Sequence, residues 1–523
     1  MKRAHEQGTA KLATHANILY GLDDKPPTGR AVVLAAQHVL TMFGSTVAIP
    51  LLFGPALWPI DKGATGAVQA QQALTQANNI ATLISSVMLC SGLATLIQST
   101  FGTRLPIIQG VSFSFIAPFF GIIGACAAQG KTGAEMMQYI AGAIIAGAAI
   151  EVVVGFSGLM GAIRRILSPV VVGPVIMLIG LALFEHGAPK AGTDWGISGL
   201  TIVLVIVFSL VLSRRSVIFR MFPMLLAISI ACLVCWMLTA AGVFGAGHPS
   251  HISFAAFEHA RWLRVDPREV ILPWGAPRFD LAFFFAVLAG YLASMIESFG
   301  DYHACAQMAG GTDPTPKQIS RGIGCEGIGC ALTGLLGGFS STSYSENIGL
   351  VGLTRVGSRY VVQIGGGILV LLGLFGKFGA LAATIPGPVV GGLYCALFGL
   401  ISAVGIQQLA KCDLSADRNL FIAGFSLFMG LSVPAYFAAT TDAAHIAPGQ
   451  TLALYTPTAE GWLAAIGQGL RGVIVAVGST GMAVAAIIGI LLDNLVPGTA
   501  TERGLDIPSL LVPEAGDVGE GAE

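Results

Sequence analysis

Apolar stretches of bilayer-spanning length recur almost without a break from Ala31 to Leu492, and this constrains the chain more than any other feature of its sequence. A helix needs roughly 18 to 25 such residues to cross about 30 Å of hydrocarbon. Only 11% of the residues are charged, whereas soluble domains run near a quarter, so this chain cannot cover itself with charge in water. The bilayer is therefore its solvent. The length of 523 residues would accommodate about three soluble domains, but the recurring spans leave no room for them, and a single all-α polytopic membrane domain is expected.

The net charge of −1 averages over tails and loops on opposite membrane faces. It is silent on a nucleic-acid partner, and none is expected. The nine cysteines are scattered; Cys232 and Cys235 form the one C-x-x-C pair and fall inside an apolar helix, where packing explains them. Neither a disulfide framework nor a metal site is expected. Residues 1–30 carry Lys2, Arg3, Lys11, Lys25 and Arg30 without an apolar core, so they read as a cytosolic tail and not as a cleaved signal. The acidic end, Glu514 to Glu523 within a second tail of 494–523, is expected to be disordered.

Glycine, proline and charge breaks divide the apolar sequence into spans near 31–54, 79–101, 105–125, 136–161, 166–184, 196–213 and 217–244, then 279–304, 321–338, 345–356, 360–385, 387–406, 417–440 and 462–492, fourteen in all. With a cytosolic N-terminus, the turns facing the cytosol carry Arg104, Arg164 with Arg165, Arg214 with Arg215, Lys317 with Arg321, Arg355 with Arg359, and Lys411 with Arg418. That is the positive-inside bias. The segment 245–278, expected outside, is the exception, with Arg261, Arg264, Arg268 and Arg278.

Two features suggest that the halves are copies. Pro169-Val170-Val171-Val172-Gly173 leads through Leu178 to Gly180-Leu181, and Pro388-Val389-Val390-Gly391-Gly392 leads, ungapped, through Leu397 to Gly399-Leu400. These are the fifth and twelfth spans, and a repeat of seven spans forces the second copy upside down, an architecture of transporters. Spans three and ten are also both too short or too broken to cross as plain helices. One opens at Pro106 and alternates through Gln109 to Phe115; the other follows Ser340 to Tyr344. Paired interrupted spans point to a binding site, because irregular backbone at that depth needs protein or a water-filled cavity to satisfy it.

The buried polar residues gather around those breaks. Glu297 and Asp301 are four apart in span eight and share one helix face. Two such carboxylates in low dielectric can hold a proton or bind a cation between them. In span ten, Glu346 and Asn347 stand at a helix start, where the dipole favours the carboxylate and Asn347 can cap. A carboxylate also accepts the two N–H groups along one edge of a planar, amide-like ring. In span one Gln37-His38 interrupts an apolar helix, and Phe113 is placed to stack on a flat ligand or simply to pack.

At these residues the chain resembles the nucleobase-ascorbate transporter family. The family's span-ten signature, Q/E/P-N-x-G-x-x-x-x-T-K/R, is matched by Glu346, Asn347, Gly349, Thr354 and Arg355, and its span-eight E-S-x-G-D by Glu297, Ser298, Gly300 and Asp301. Gln37-His38 followed by Met42-Phe43-Gly44 resembles its first-span motif. The resemblance implies a seven-plus-seven inverted repeat with short strands in spans three and ten. It also implies a core domain of 31–161 and 279–385, a gate domain of 162–278 and 386–493, a homodimer, and elevator-like movement of core against gate. Glu297 and Glu346 would hydrogen-bond the ring edge, Phe113, Ser112 and Ser345 would line the site, and Asp301, His38, Gln37 and Asn347 would orient or couple.

The segments around Thr354 to Gln363 and Asp417 to Phe421 look most like the animal ascorbate branch, which carries Pro where this chain has Glu346. Members with Glu or Gln there transport nucleobases, and Pro offers no side-chain hydrogen bond where Glu accepts two. The resemblance therefore implies import of uracil or of purines such as xanthine into the cell through its (inner) membrane, with ascorbate or another organic anion as the alternative. No G-x-x-x-x-G-K-[ST] phosphate loop is present to support ATP hydrolysis. Secondary transport by cation symport follows, proton-coupled by expectation, although Asp301 replaces the His of the family's proton-coupled uracil carrier and leaves sodium near Asp301 open. No organic cofactor is expected. An anion exchanger of the same fold would show a positive or neutral pocket instead of two glutamates. A membrane-embedded enzyme would need a nucleophile, base and metal set that the sequence does not display.

Overall fold

The computed structural model describes residues 18–61, 63–310, 313–442, 474 and 477–505. The acidic end and the stretch 462–473 of the expected last span lie outside these residues. The principal helices are labelled α1 to α14: Thr28–Leu57, Gly66–Thr100, Ile116–Ala128, Gly133–Ser157, Pro169–Ala182, Trp195–Ile206, Pro223–Ala240, Leu281–Met308, Pro316–Leu335, Ser345–Thr354, Arg359–Leu374, Gly387–Leu409, Asp417–Asp442 and Gly481–Leu495. Two three-residue strands, β1 (Gln109–Val111) before α3 and β2 (Ser341–Ser343) before α10, complete the frame.

Among the described residues nine helical segments are long and apolar enough to cross a membrane, fewer than the fourteen spans expected. The shortfall has local causes. The third and tenth stretches are each divided between a strand and a helix, and α10 is only 10 residues long. The eleventh is broken at Phe375 between α11 and a short helix, Gly376–Ala382. α9 has the length but is rich in glycine and carries Lys317, Arg321 and Glu326.

Glycines set how closely the helices pair. A Cβ at Gly92 of α2 would stand 2.6 Å from the carbonyl oxygen of Gly366 in α11, and one at Gly155 of α4 would collide with the backbone of Gly324 in α9. Small residues let backbones meet where lipid supplies no hydrophobic drive for association. Leu89, Gly92 and Leu96 meet Gly373, Val370 and Gly366 in reverse order, so α2 and α11 run antiparallel. α4 and α9 do likewise, Gly155 meeting Gly324 while Val152 meets Gly327 and Ile145 meets Gly334. α5 and α12, which carry the repeated sequence, also cross antiparallel, with Gly173 against Leu409, Met177 against Gly405 and Gly180 against Ser402.

β1 and β2 pair antiparallel, Gln109 with Ser343, Gly110 with Thr342 and Val111 with Ser341. The backbone of each broken stretch thus satisfies the other. Tyr344 lies against Gly110, where any Cβ would strike the phenol ring, and its hydroxyl donates to Val111 O at 3.1 Å.

The arginines of 245–278 that broke the charge rule are mostly paired. Arg264 is buried and donates to Gly373 O, Ser86 Oγ and Glu269 O. Arg261 pairs with Glu269 at 2.7 Å and Arg278 with Glu135 at 3.2 Å. A segment folded onto α2 and α11 holds its charges by local partners, so charge counting over it does not report sidedness. The last residues before α1 are likewise docked: Leu19 N donates to Arg355 O, Gly357 N to Tyr20 O and Arg359 N to Leu22 O. Arg355, which ends α10, is held at a positive φ of 57°, a conformation uncommon for a residue with a side chain.

Candidate functional site

The site is built where α8 and α10 meet α1. Glu297 and Asp301 stand one turn apart on α8, the first half-buried and the second buried. Ser345 opens α10 and its hydroxyl bridges both Asp301 oxygens, at 2.9 and 3.1 Å. Glu346, the next residue, is exposed and lines a cavity of about 760 Å³. Its Oε1 accepts from Ser45 Oγ of α1 at 3.2 Å. The carboxylates of Glu346 on α10 and Glu326 on α9 both act on Glu297, and Glu297 and Glu346 have little hydrogen bonding with the protein. Such groups keep acceptor capacity for a ligand's N–H groups.

The cavity extends from Thr41, Ser45, Glu346 and Gly349 on one side to Val205, Leu210, Pro223, Met224 and Leu397 on the other, with Arg220 in its wall. It is therefore lined by α1, α8 and α10 together with α6, α7 and α12 and the short turns between them. A second cavity of about 300 Å³ runs along α8 from Ile296 through Gly300 and His303 to Gln307, facing Val172 of α5 and Gln408 of α12.

Asn347 does not cap α10, contrary to the expectation from its place in the sequence. Tyr344 occupies the cap without a side-chain bond, and the Asn347 amide reaches α1, where it donates to His38 O at 2.9 Å and meets His38 Nδ1 at 3.1 Å. Both residues are buried, so the contact ties span one to span ten. Gln37 is partly buried and its Oε1 has no partner. Ser112 is buried, with its hydroxyl accepting from Ser114 N at 3.3 Å. Phe113 packs between the central core and a cluster of Val175, Leu178, Ala293, Met482 and Ala485. The structure thus brings Glu297, Asp301, Ser345 and Glu346 together, joins His38 to Asn347, and sets Ser112 and Phe113 on the turn that follows β1.

Residues 29–439 match the model of the Permease family. Nucleobase-ascorbate transporter 2 of Arabidopsis thaliana is 35% identical over 506 residues, covering 93% of this chain and 90% of that protein. The chain belongs to the nucleobase-ascorbate transporter family. Solute carrier family 23 member 1 of Mus musculus is 36% identical over 532 residues, covering 94% of this chain and 82% of the relative. Among solved structures, the transmembrane domain of the cyanobacterium bicarbonate transporter BicA aligns with a TM-score of 0.46 at 14% identity, covering 77% of this chain and 95% of that one. By its family and its apolar helices, this member of the nucleobase-ascorbate transporter family is an integral, multi-pass membrane transporter and not an enzyme.

Two more buried carboxylates of this transporter stand outside the motifs that mark the site. Glu326 of α9 is 1% exposed and Glu151 of α4 is 0% exposed. Glu326 Oε1 accepts from Ser298 at 2.6 Å and Ser294 at 3.4 Å; its Oε2 accepts from Tyr302 at 2.8 Å and Ser343 at 3.4 Å. The signal was present, since an ionisable residue within an apolar span is a functional candidate by default. It lay in spans without a motif or a helix break to draw attention to them.

Proposed function

We propose that the transporter imports nucleobases, uracil or purines such as xanthine, across the cell membrane by symport with a cation. Glu346 carries this reading: a carboxylate at the start of α10 that faces a cavity and holds a single hydroxyl partner from the protein. With Glu297 it offers acceptors to adjacent ring N–H groups, while Ser345, Ser112 and the donors around β1 are suited to ring carbonyls and Phe113 to the ring face. Asp301, His38, Gln37 and Asn347 orient the site or couple it to the ion, which is the proton in the favoured scheme and sodium near Asp301 in the other. The plant relative's name covers both nucleobases and ascorbate. Ascorbate is an anion at neutral pH and would meet Glu297, Asp301 and Glu346, which favours the base.

In this reading 31–161 and 279–385 form the core and 162–278 and 386–493 the gate, the two tails are cytoplasmic, and a homodimer provides the frame against which the core moves as an elevator. The antiparallel pairs support a seven-plus-seven repeat. Shifting every helix by seven turns the α2–α11 pair into α9–α4, and returns β1–β2 and α5–α12 to themselves. The cavity, shared by α1, α8 and α10 with α6, α7 and α12, supports a core sliding past a gate.

Uptake of labelled uracil and xanthine into proteoliposomes, in competition with a panel of bases and ascorbate, tests the substrate. Bases should compete and ascorbate should not, and Glu346→Gln should change the ranking. Competition by ascorbate alone, or a ranking untouched by Glu346→Gln, overturns the assignment. Uptake indifferent both to a protonophore and to sodium replacement overturns symport.

A further inference from the structure

Behind the site lies a second carboxylate pair whose charge the protein leaves unbalanced. The bonds around Glu326 run one way. Gln98 Nε2 donates to Tyr302 OH at 2.7 Å, and an amide N–H can only donate, so that hydroxyl gives its own hydrogen to Glu326. Gln109 Nε2 donates to Ser343 Oγ at 2.9 Å, and Ser343 in turn donates to Glu326. Both Glu326 oxygens thus sit among donors, an arrangement that favours the ionised form.

Glu151 is the opposite case. Neither of its oxygens has an N–H or O–H donor, though it is fully buried, and the Cys330 thiol of α9 approaches it as a weak donor. The groups that act on it are Glu326 and the Cys330 thiol of α9, and it acts in turn on Tyr291 and Tyr302 of α8; none is basic. Glu326 lies within its electrostatic reach, across the glycine-lined contact of α4 and α9. Gln109 Oε1, within the same network, is also buried and unpartnered. An isolated ionised carboxylate in such surroundings is far costlier than a neutral one, and one positive charge is missing.

We propose that Glu151 and Glu326 form a proton-holding site, in which Glu151 carries one exchangeable proton opposite the fixed anion of Glu326. The network links this pair to the candidate substrate site, since Ser298 donates to Glu326 and neighbours Glu297 in sequence, while its hydroxyl also meets Thr342 of β2 at 3.1 Å. Release of the proton places a second negative charge beside Glu326, and that repulsion is felt across the α4–α9 contact and at the strand pair on which α10 begins. Only the coupling consequence rests on the transport reading; the protonation state does not.

Infrared spectra of the purified, substrate-free protein in liposomes test the site directly. The carbonyl band of a protonated carboxyl, present in the wild type, should be lost in Glu151→Gln and kept in Glu151→Asp. A band unaltered by Glu151→Gln, or missing from a Glu151→Asp protein that still binds substrate, overturns the proposal. Exchanging choline for sodium at fixed pH should leave the band in place; its disappearance would assign the missing charge to sodium and overturn the proton. In transport, Glu151→Gln should retain substrate counterflow. Its accumulation under a one-unit pH gradient should fall by about tenfold, the factor that one coupled proton supplies. Unchanged accumulation overturns the exchangeable role, while the infrared result stands whether or not the substrate proves to be a nucleobase.

Discussion

Glu346 and Glu326 are twenty positions apart and belong to one cluster of acids, yet the fold treats them in opposite ways. Glu346 faces a cavity with one hydroxyl partner, whereas Glu326 is sealed among four hydroxyl donors. A third acid, Asp493 of α14, is buried as well but is met by Arg418 at 2.8 Å and Arg503 at 2.7 Å, with Ser168 donating at 2.7 Å. Hydroxyls answer one carboxylate and cations another, and the one left open is the one with room for a ligand. Unfilled hydrogen-bonding capacity beside a cavity therefore marks the candidate site better than the presence of an acid does.

The contrast can be broken in order of expected effect. Glu326→Ala leaves four buried hydroxyls without their common acceptor; a loss of about 3 to 5 kcal/mol, the sum expected when several buried donors each lose a partner, should appear as a large fall in melting temperature and in protein reaching the membrane. Glu346→Ala should lower substrate affinity by roughly ten- to hundredfold, the worth of one hydrogen bond to a charged group at about 1.5 to 3 kcal/mol, while melting stays near wild type. A Glu346→Ala protein that melts like Glu326→Ala would erase the distinction. Asn347→Ala should do some of both, because it leaves His38 of α1 unpaired at a cost of about 1 to 3 kcal/mol and frees the helix that presents Glu346; affinity and melting should fall together. The smallest effect is expected for Arg503→Ala, since Arg418 and Ser168 still hold Asp493; a small fall in melting temperature without change in affinity would bear this out.

Much of this was legible in the sequence. The helices α1 to α13 fall on the expected apolar stretches, and the described end of the last stretch forms α14, because span length and glycine or proline breaks are local properties of the chain. The breaks at Pro106 and Ser340 marked the two strands, and the four-residue spacing of Glu297 and Asp301 placed both on one face of α8. The sequence also determined the family, through motifs whose residue types carry their chemistry with them.

What it could not decide was which polar groups face each other. Asn347 stands where a capping residue would stand, and only the approach of α1 turned it towards His38. The arginines of 245–278 broke the charge rule until their partners on α2, α4 and α11 were in place. Glu151 and Glu326 are 175 positions apart by their numbers and became a pair because glycines allow α4 and α9 to touch. A sequence names the acids that enter the membrane domain, but the desolvation and donor count that set each one's role are sums over neighbours from distant segments, and those exist only once the helices have packed.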